Sequence, residues 1–548
     1  MTTDAHLDTQ QEWWRHAAIY QIYPRSFADG NGDGTGDIAG MRSRLPYLEQ
    51  LGIDAIWVNP WYRSPLLDGG YDVADYREIA EQYGSIVEAE AFIDEARERG
   101  IRVIVDLVPN HVSFEHEWFV AALAADPGSP ERSRFHFLPG RGDHGELPPN
   151  NWTAVFGGPA WTRTETDGAP GDWYLHLFNH SQPDVNWEHQ EVIEELESVM
   201  RFWLDRGAAG FRVDVAHGLM KAPGYPDLDM SQGRNPMAWY EGHPYWDRDE
   251  LHPVIRRWRA VLDEYEDRMM VAEAWVSPGR LARYLRPDEY HQAFEFDLLS
   301  ADWGASTFAS IIGDSVAAAA DVGSNPTWVL SNHDVVRHAT RYGLPSGTVP
   351  ILWLLDGPAD VLDAERGARR GRAAGMLTLA LPGAVYIYQG DELGLPEAWE
   401  LPHEVLDDPV WEDSGHTVKG RDGCRVPIPW ELDGPSLGFG VSDGWLPQPP
   451  QFNDFSAAAQ EANGASTLHL YRRALALREE VFIEDLDIEF IELGADVIAF
   501  SRGSGVRCVV NMGDVAIPMP EGDLLLASDS AVDATTTQLA PDVAVWLR

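Results

Sequence analysis

The sequence predicts an α/β fold: a (β/α)8 barrel with a lobe inserted after its third strand, followed by a C-terminal antiparallel β-sandwich. Three features lead there. Eight short, apolar, β-prone runs alternate with amphipathic helical stretches, a Gly-, Pro-, Trp- and His-rich segment interrupts the alternation once, and from about residue 484 the pattern turns hairpin-like. "AIYQIYP" (17–24) precedes a helical stretch around 39–51, and "IDAIWVN" (53–59) precedes one around 86–99. "IRVIVDLVPN" (101–110) is the third strand. After the interruption come helix 189–206, "AAGFRVDV" (208–215), helix 250–267, "MMVAEAW" (269–275), helix 278–286 and "QAFEFD" (292–297). Helix 303–320, "TWVLSNHD" (327–334), helix 364–380 and "AVYIYQG" (384–390) complete eight units. Buried parallel strands of this kind close as a barrel; the alternative, a doubly wound open sheet, lacks a G-x-G-x-x-G after the first strand.

The domain organisation follows. Residues 1–111 and 185–480 form the barrel, including a loop-rich subdomain at 396–456. Residues 112–184 form the inserted lobe, and 481–548 the β-domain ("IEFIELGADVIAFSR", "VRCVVNM", "APDVAVWLR").

Composition narrows the function. With 44% hydrophobic residues in 548, the chain buries a sizeable core, and 22 Trp, 18 Tyr and 19 Phe suit stacking on flat apolar faces such as sugar rings. A net charge of −47 repels nucleic acid and anionic membranes, so neither is expected as a partner. The two cysteines, Cys424 and Cys508, make neither a disulfide framework nor a metal cluster. Without a basic-then-apolar leader or an apolar span, a cytoplasmic location is expected.

Polar residues gather where the predicted strands end. Asp106, Asn110 and His111 close the third, Arg212 and Asp214 the fourth, Glu273 the fifth, and His333 with Asp334 the seventh. Barrel enzymes build their sites on that face. Any one of these reads as a structural carboxylate; together they read as catalysis. Three carboxylates without a nucleophilic Cys or a Ser–His pairing point to acid/base and carboxylate-nucleophile chemistry, as in glycoside hydrolysis. Arg212 lies two residues before Asp214, hence on the same strand face, where it favours an ionised nucleophile. The apolar surroundings of Glu273 in "VAEAW" are expected to keep it protonated. Metal hydrolysis through Asp106, His111, His333 and Asp334 is the rival, but no H-x-H or H-E-x-x-H spacing supports it.

"DLVPNH" (106–111), "GFRVDVAH" (210–217), "VAEAW" (271–275) and "LSNHD" (330–334) resemble the four signature regions of the α-amylase family, glycoside hydrolase family 13. "QPDVNW" (182–187) is similar to the QPDLNW of its oligo-1,6-glucosidase and α-glucosidase branch. The resemblance implies that Asp214 is the nucleophile, Glu273 the general acid/base and Asp334 the carboxylate gripping the reacting glucose. It implies sugar-binding or charge-orienting roles for Arg212, His111 and His333. From "GGYDVADY" (69–76) and "GRDGCR" (420–425) it implies that Tyr71 stacks under the glucose while Asp72 and Arg425 hold its far hydroxyls. Phe156 and Trp187 are further pocket candidates, and Cys424 is assigned to packing. The expected activity is a retaining exo-acting α-glucosidase on small-molecule α-glucosides. A transglucosylase or sucrose-processing enzyme using the same intermediate is the alternative, and a non-catalytic glucosidase-like scaffold a remote one. Val215, directly after the nucleophile, is a type this branch shows with α-1,6 preference, but one methyl-scale contact does not decide the linkage.

"ADGNGDGTGDIAG" (28–40) begins like an EF-hand, yet its twelfth position is Gly40 instead of Glu, and a β-prone run leads into it. A static metal site or a metal-free Asp/Gly turn remains. In the resembled branch the matching loop holds a structural divalent ion, which implies ligation by Asp29, Asn31, Asp33 and Asp37 with the carbonyl of Thr35. Such all-oxygen ligands suit Ca2+ or Mg2+.

Overall fold

The structure, a computed structural model, describes residues 12–166, 169–232, 240, 242–482, 487–503 and 505–548. The switch to hairpin pattern at about 484 falls outside the described residues, as does part of the loop at 216–250. Eight strands, β1 (Ala18–Ile22), β2 (Ala55–Val58), β3 (Arg102–Leu107), β4 (Gly210–Val213), β5 (Met269–Ala272), β6 (Gln292–Glu295), β7 (Thr327–Val329) and β8 (Ala384–Tyr388), close into a barrel. Its order is β1-β8-β7-β6-β5-β4-β3-β2, and every neighbouring pair is parallel.

Side chains alternate across each strand, and the alternation positions the site. Ile19, Trp57, Ile104, Val271, Phe294, Val329 and Tyr386 form one apolar cluster, filling the barrel interior. Tyr20, Ile22, Ile56, Val58, Val103 and Val105 belong to the larger core between strands and helices. Moving two residues up from the inward positions reaches Gln21, Asn59, Asp106 and Glu273. The interior therefore changes from apolar to polar at its C-terminal end.

The surrounding helices have local causes. Ile86–Glu98 starts at a reciprocal capping box between Ser85 and Glu88. Gln190–Leu204 buries Val192, Leu196, Val199, Met200 and Trp203 along one stripe. The stretch expected as one helix over 39–51 is two, Ile38–Ser43 and Leu45–Leu51, which break at Arg44 (φ −101°, ψ 0°). Pro46 sits in the first turn of the second helix, where its missing N–H costs nothing.

Within the interruption, Phe137–Leu138, Trp161–Thr166 and Ala169–Leu175 form a three-stranded antiparallel sheet. At the C-terminal end, β9 (Ile488–Phe490), β10 (Val497–Arg502), β11 (Arg507–Asn511), β12 (Leu524–Ala527) and β13 (Val543–Leu547) form an antiparallel sheet in the order β9-β10-β11-β13-β12. Buried Asp542 fastens this sheet to helix Ala364–Ala380 through Arg366 (3.0 Å) and Arg370 (2.8 Å). Among the described residues no helix is long and apolar enough to cross a membrane.

Candidate active site

Arg212, 2% exposed, is the hub of the polar end. On β4 it stands opposite Asp106 of β3 and Val271 of β5. Its Nη1 lies 2.5 Å from Asp214 Oδ1 and 3.2 Å from Asp106 Oδ1, and its Nη2 2.8 Å from Glu273 Oε2. One guanidinium thus serves three carboxyls, as a charge in so dry a place requires. Asp106 also accepts from Trp57 Nε1 (3.0 Å) and the Tyr71 hydroxyl (3.1 Å), which in turn accepts from Asn59 Nδ2 (2.7 Å).

The turn after the candidate nucleophile is strained. Val215 has φ +44°, a left-handed conformation that a β-branched residue rarely adopts. The conformation aims its N–H at Glu273 Oε2 (3.1 Å), while Ala216 N–H reaches the Glu273 carbonyl (2.9 Å). Trp275 Nε1 donates to the other carboxylate oxygen at 3.0 Å. This corrects the expectation of an apolar, protonated Glu273. Arg212 and the Val215 N–H reach it from outside its own sequence window and Trp275 from within it, and all three favour its ionised form. Burial pushes the Glu273 carboxyl up, but Arg212 and the Val215 N–H outweigh it and hold the group below its ordinary value. In Asp214 burial wins over Arg212, and the nearby Glu273 adds to it, so that carboxyl is pushed well above its ordinary value. The two carboxyls are close enough to shift each other. They titrate as one pair.

A second wall faces this pair. Asp334 Oδ1 takes Arg425 Nη2 (3.0 Å) and Arg421 Nη1 (3.1 Å). Burial is opposed there by His333, Arg421 and Arg425, which hold Asp334 well below the carboxylate range. His333 accepts at Nδ1 from the Gln21 amide (2.8 Å), so its proton sits on Nε2 and points at Asp334 Oδ2 (3.2 Å). Burial keeps His333 and His111 neutral, His111 pushed down to about 4. Tyr71 stacks on the His333 ring at 5.2 Å, 2° from parallel.

The expected Asp72–Arg425 clamp is not what the structure contains. Asp72 is fully buried, and its oxygens take Ser64 Oγ (2.7 Å) and the Leu67 N–H (2.9 Å) within its own loop. The carboxylate facing the site is Asp68, 2.7 Å from Arg421 Nη2. Gly69 (φ +57°) and Gly70 (φ +107°) turn the chain so that Asp68 faces in along with Tyr71, and Asp72 faces away. Arg421 also grips buried Asp408 with Nε (2.7 Å) and Nη2 (2.9 Å). Burial is outweighed there, and Asp408 falls to about 2. Arg425 keeps a place at the site through Asp334 and the His333 carbonyl (2.8 Å). Asp68, Arg421 and Asp408 were therefore missed. Their signal was the acid just before the glycine pair in "LLDGGY" and the first arginine of "GRDGCR".

The remaining candidates divide. Phe156 lies under the Arg421 guanidinium, 4.9 Å from ring centroid to Cζ, and so borders the site. His111 receives the Gln182 amide at Nε2 (3.2 Å) beside it. Trp187 is no pocket residue: it donates to the Pro109 carbonyl and packs edge-on against Trp258 in the barrel wall. Cys424 is buried, with Sγ 3.3 Å from the His333 carbonyl.

The Asp29–Asp37 loop, which follows β1, is bound together by its own amides. Asp29 accepts from Gly32 (2.6 Å) and Gly34 (2.9 Å), Asp33 from Thr35 (2.8 Å), and Asp37 from Gly40 (2.6 Å) and Asn31 (3.0 Å). Among the described residues, no three acidic, His or Cys side chains already converge as a metal cage. The donor set itself fits a hard cation. Asp29, Asn31, Asp33 and Asp37 offer oxygens, and an oxygen holding one N–H keeps a lone pair free.

A closed barrel with a buried carboxylate pair and a third carboxylate between arginines defines a barrel enzyme of carboxylate chemistry. The chain belongs to the α-amylase family: residues 21–485 match the alpha amylase catalytic domain, and 493–546 match a domain of unknown function. It is 37% identical over 535 residues to a "probable alpha-glucosidase" of Rhizobium meliloti, covering 94% of this chain and 92% of that one. It is 32% identical over 507 residues to the oligo-1,6-glucosidase of Parageobacillus thermoglucosidasius, covering 86% and 84%. The crystal structure of an alpha-glucosyl transfer enzyme superposes with a TM-score of 0.85 at 33% identity, covering 98% and 100%.

Proposed function

We propose that the protein is a retaining, exo-acting α-glucosidase working by double displacement. Asp214 attacks the anomeric carbon while Glu273 protonates the departing oxygen; water, giving its proton to Glu273, then releases α-glucose. The observation that carries this is the single Arg212 guanidinium joining Asp214 and Glu273, which makes them one coupled pair at the end of the barrel. Turnover requires a proton on Glu273 when the glycosidic oxygen lies over it. A ring carbon gathering positive charge beside Asp214 favours ionised Asp214 and leaves the proton of the pair to Glu273. Asp334, fixed as an anion by Arg421, Arg425 and His333, and Asp68 on Arg421 would hold the hydroxyls of the terminal glucose.

Asp214→Asn tests the reading. It should lower hydrolysis of p-nitrophenyl α-glucoside on the order of 10^4-fold or more while keeping the folded spectrum; turnover near the wild-type rate would refute it. Retention itself is read by NMR as α-glucose forming first. The same intermediate serves transfer, the activity in the printed description of the α-glucosyl transfer enzyme. New glucosides formed at high maltose, outpacing free glucose, would favour that second reading. The Asp29–Asp37 loop is proposed as a structural Ca2+ or Mg2+ site, held by Asp29, Asn31, Asp33, Asp37 and the Thr35 carbonyl, and supplying cross-linking charge with no part in catalysis.

A further inference from the structure

A row of buried, uncharged side chains links the two carboxylate walls of the site. Arg212 and Trp57, which have no acceptor to offer, already point N–H groups at Asp106, so the Tyr71 hydroxyl beside it donates as well. The Tyr71 oxygen then accepts from Asn59 Nδ2 (2.7 Å), which turns Asn59 Oδ1 to the Gln21 amide nitrogen (2.8 Å). That nitrogen carries two hydrogens, and the second goes to His333 Nδ1 (2.8 Å). Gln21, Asn59 and His333 are each at most 1% exposed, so these bonds have to be made within the protein.

The imidazole is left with one choice, the place of its proton. Tyr71 stacks on the ring 2° from parallel, Tyr23 stacks at 6.1 Å and 16°, and Trp57 meets it edge-on at 6.0 Å, which fixes the ring plane. Burial keeps the ring neutral, with Asp334 favouring a second proton and Arg425, Arg212 and Arg421 opposing it. Reversing every bond of the row would set the Tyr71 lone pairs against Asp106. At the other end it would set a bare His333 Nε2 against the Asp334 anion, 3.2 Å away. Both ends therefore impose the same direction, and each bond of the row polarises the next.

We infer that Gln21 and Asn59 are positioning residues, holding His333 as an Nε2–H donor toward Asp334 and the glucose beside it. The catalytic consequence rests on the α-glucosidase reading; the tautomer does not. Gln21→Glu keeps the shape and turns the donor into an acceptor. Its carboxylate draws the imidazole proton to Nδ1, and Nε2–H survives only while the new carboxyl and His333 share an additional proton. Raising the pH removes that proton, so the ratio of variant to wild-type kcat/KM should fall at least about tenfold from the acid to the alkaline end of the profile. Gln21→Met, with neither donor nor acceptor, should lower kcat/KM about 5- to 15-fold, by the same factor at every pH. In 15N NMR of the histidine-labelled wild type, His333 is identified by its absence from His333→Gln and should be protonated at Nε2 and bare at Nδ1. An Nδ1–H there, or a Gln21→Glu ratio constant with pH, would overturn the relay while leaving the glucosidase reading intact. A wild type that turns over no p-nitrophenyl α-glucoside would instead refute that reading, with the NMR signal still deciding the relay.

Discussion

Replacing Arg421 with Met removes a cation from three carboxylates without a large loss of volume. Asp334 retains Arg425, but Asp68 loses its 2.7 Å partner, and Asp408 its two-point grip. Asp408 is buried and keeps only the backbone N–H donors of Val410 and residue 421, so it loses its ion-pair partner, a situation that costs about 3–5 kcal/mol. At ~2.1 cal/mol/K per residue, 548 residues unfolding together give an entropy of ~1.2 kcal/mol/K. A loss of ~4 kcal/mol then lowers Tm by about 3 °C in scanning calorimetry. Catalysis should suffer more. On the proposed reading Asp68 and Arg421 supply two charge-assisted contacts to the terminal glucose at ~1.5–3 kcal/mol each, so kcat/KM should fall about 10^2- to 10^4-fold. Asp408→Asn added to Arg421→Met should recover most of the Tm and none of the activity, because it removes the stranded charge without restoring the clamp. An Arg421→Met protein with Tm unchanged and kcat/KM within about threefold of wild type would refute both the buried-charge argument and the placing of the clamp.

Other outcomes follow from the same geometry. Trp275→Phe keeps the stack on Phe296 but loses the N–H donated to Glu273. The ionised pair is then less favoured, and the alkaline limb of the pH–kcat/KM profile should move up by about one unit; a limb that stays or moves down contradicts the assigned hydrogen bond. A chelator should lower Tm while leaving kcat of the still-folded enzyme unchanged, and activity lost before unfolding would place the ion in the chemistry. On the proposed reading the alkaline limb marks loss of the proton that Glu273 must donate, so it should vanish from the profile of Glu273→Gln measured on p-nitrophenyl α-glucoside; a limb that persists there would place the acid elsewhere.

The barrel and its carboxylates were legible because each strand announces itself locally and the inward register carries to its polar end. Asp106, Arg212, Asp214 and Glu273 needed only alternation and strand order to converge. What was illegible depends on where loops turn and on what arrives from elsewhere. Asp68 and Asp72 flank the same Gly–Gly–Tyr, and only the two left-handed glycines decide which acid faces the site. The state of Glu273 depends on Arg212, 61 residues earlier, and on a strained Val215 that its own sequence does not mark. Trp187 misled because an aromatic beside a motif looks the same in a wall as in a pocket.

The charge inventory of the site bears on how the enzyme is handled. Three guanidinium groups, from Arg212, Arg421 and Arg425, answer six carboxyls, from Asp68, Asp106, Asp214, Glu273, Asp334 and Asp408. Even with one proton on the Asp214–Glu273 pair the recess carries excess negative charge in a dry setting, where electrostatic attraction is strong. Small hydroxylated amines, protonated at neutral pH, match both that charge and the hydroxyl contacts of a sugar. Common amino-alcohol buffers are thus expected to compete for the glucose position, which steady-state rates compared between such a buffer and phosphate would read as a rise in KM.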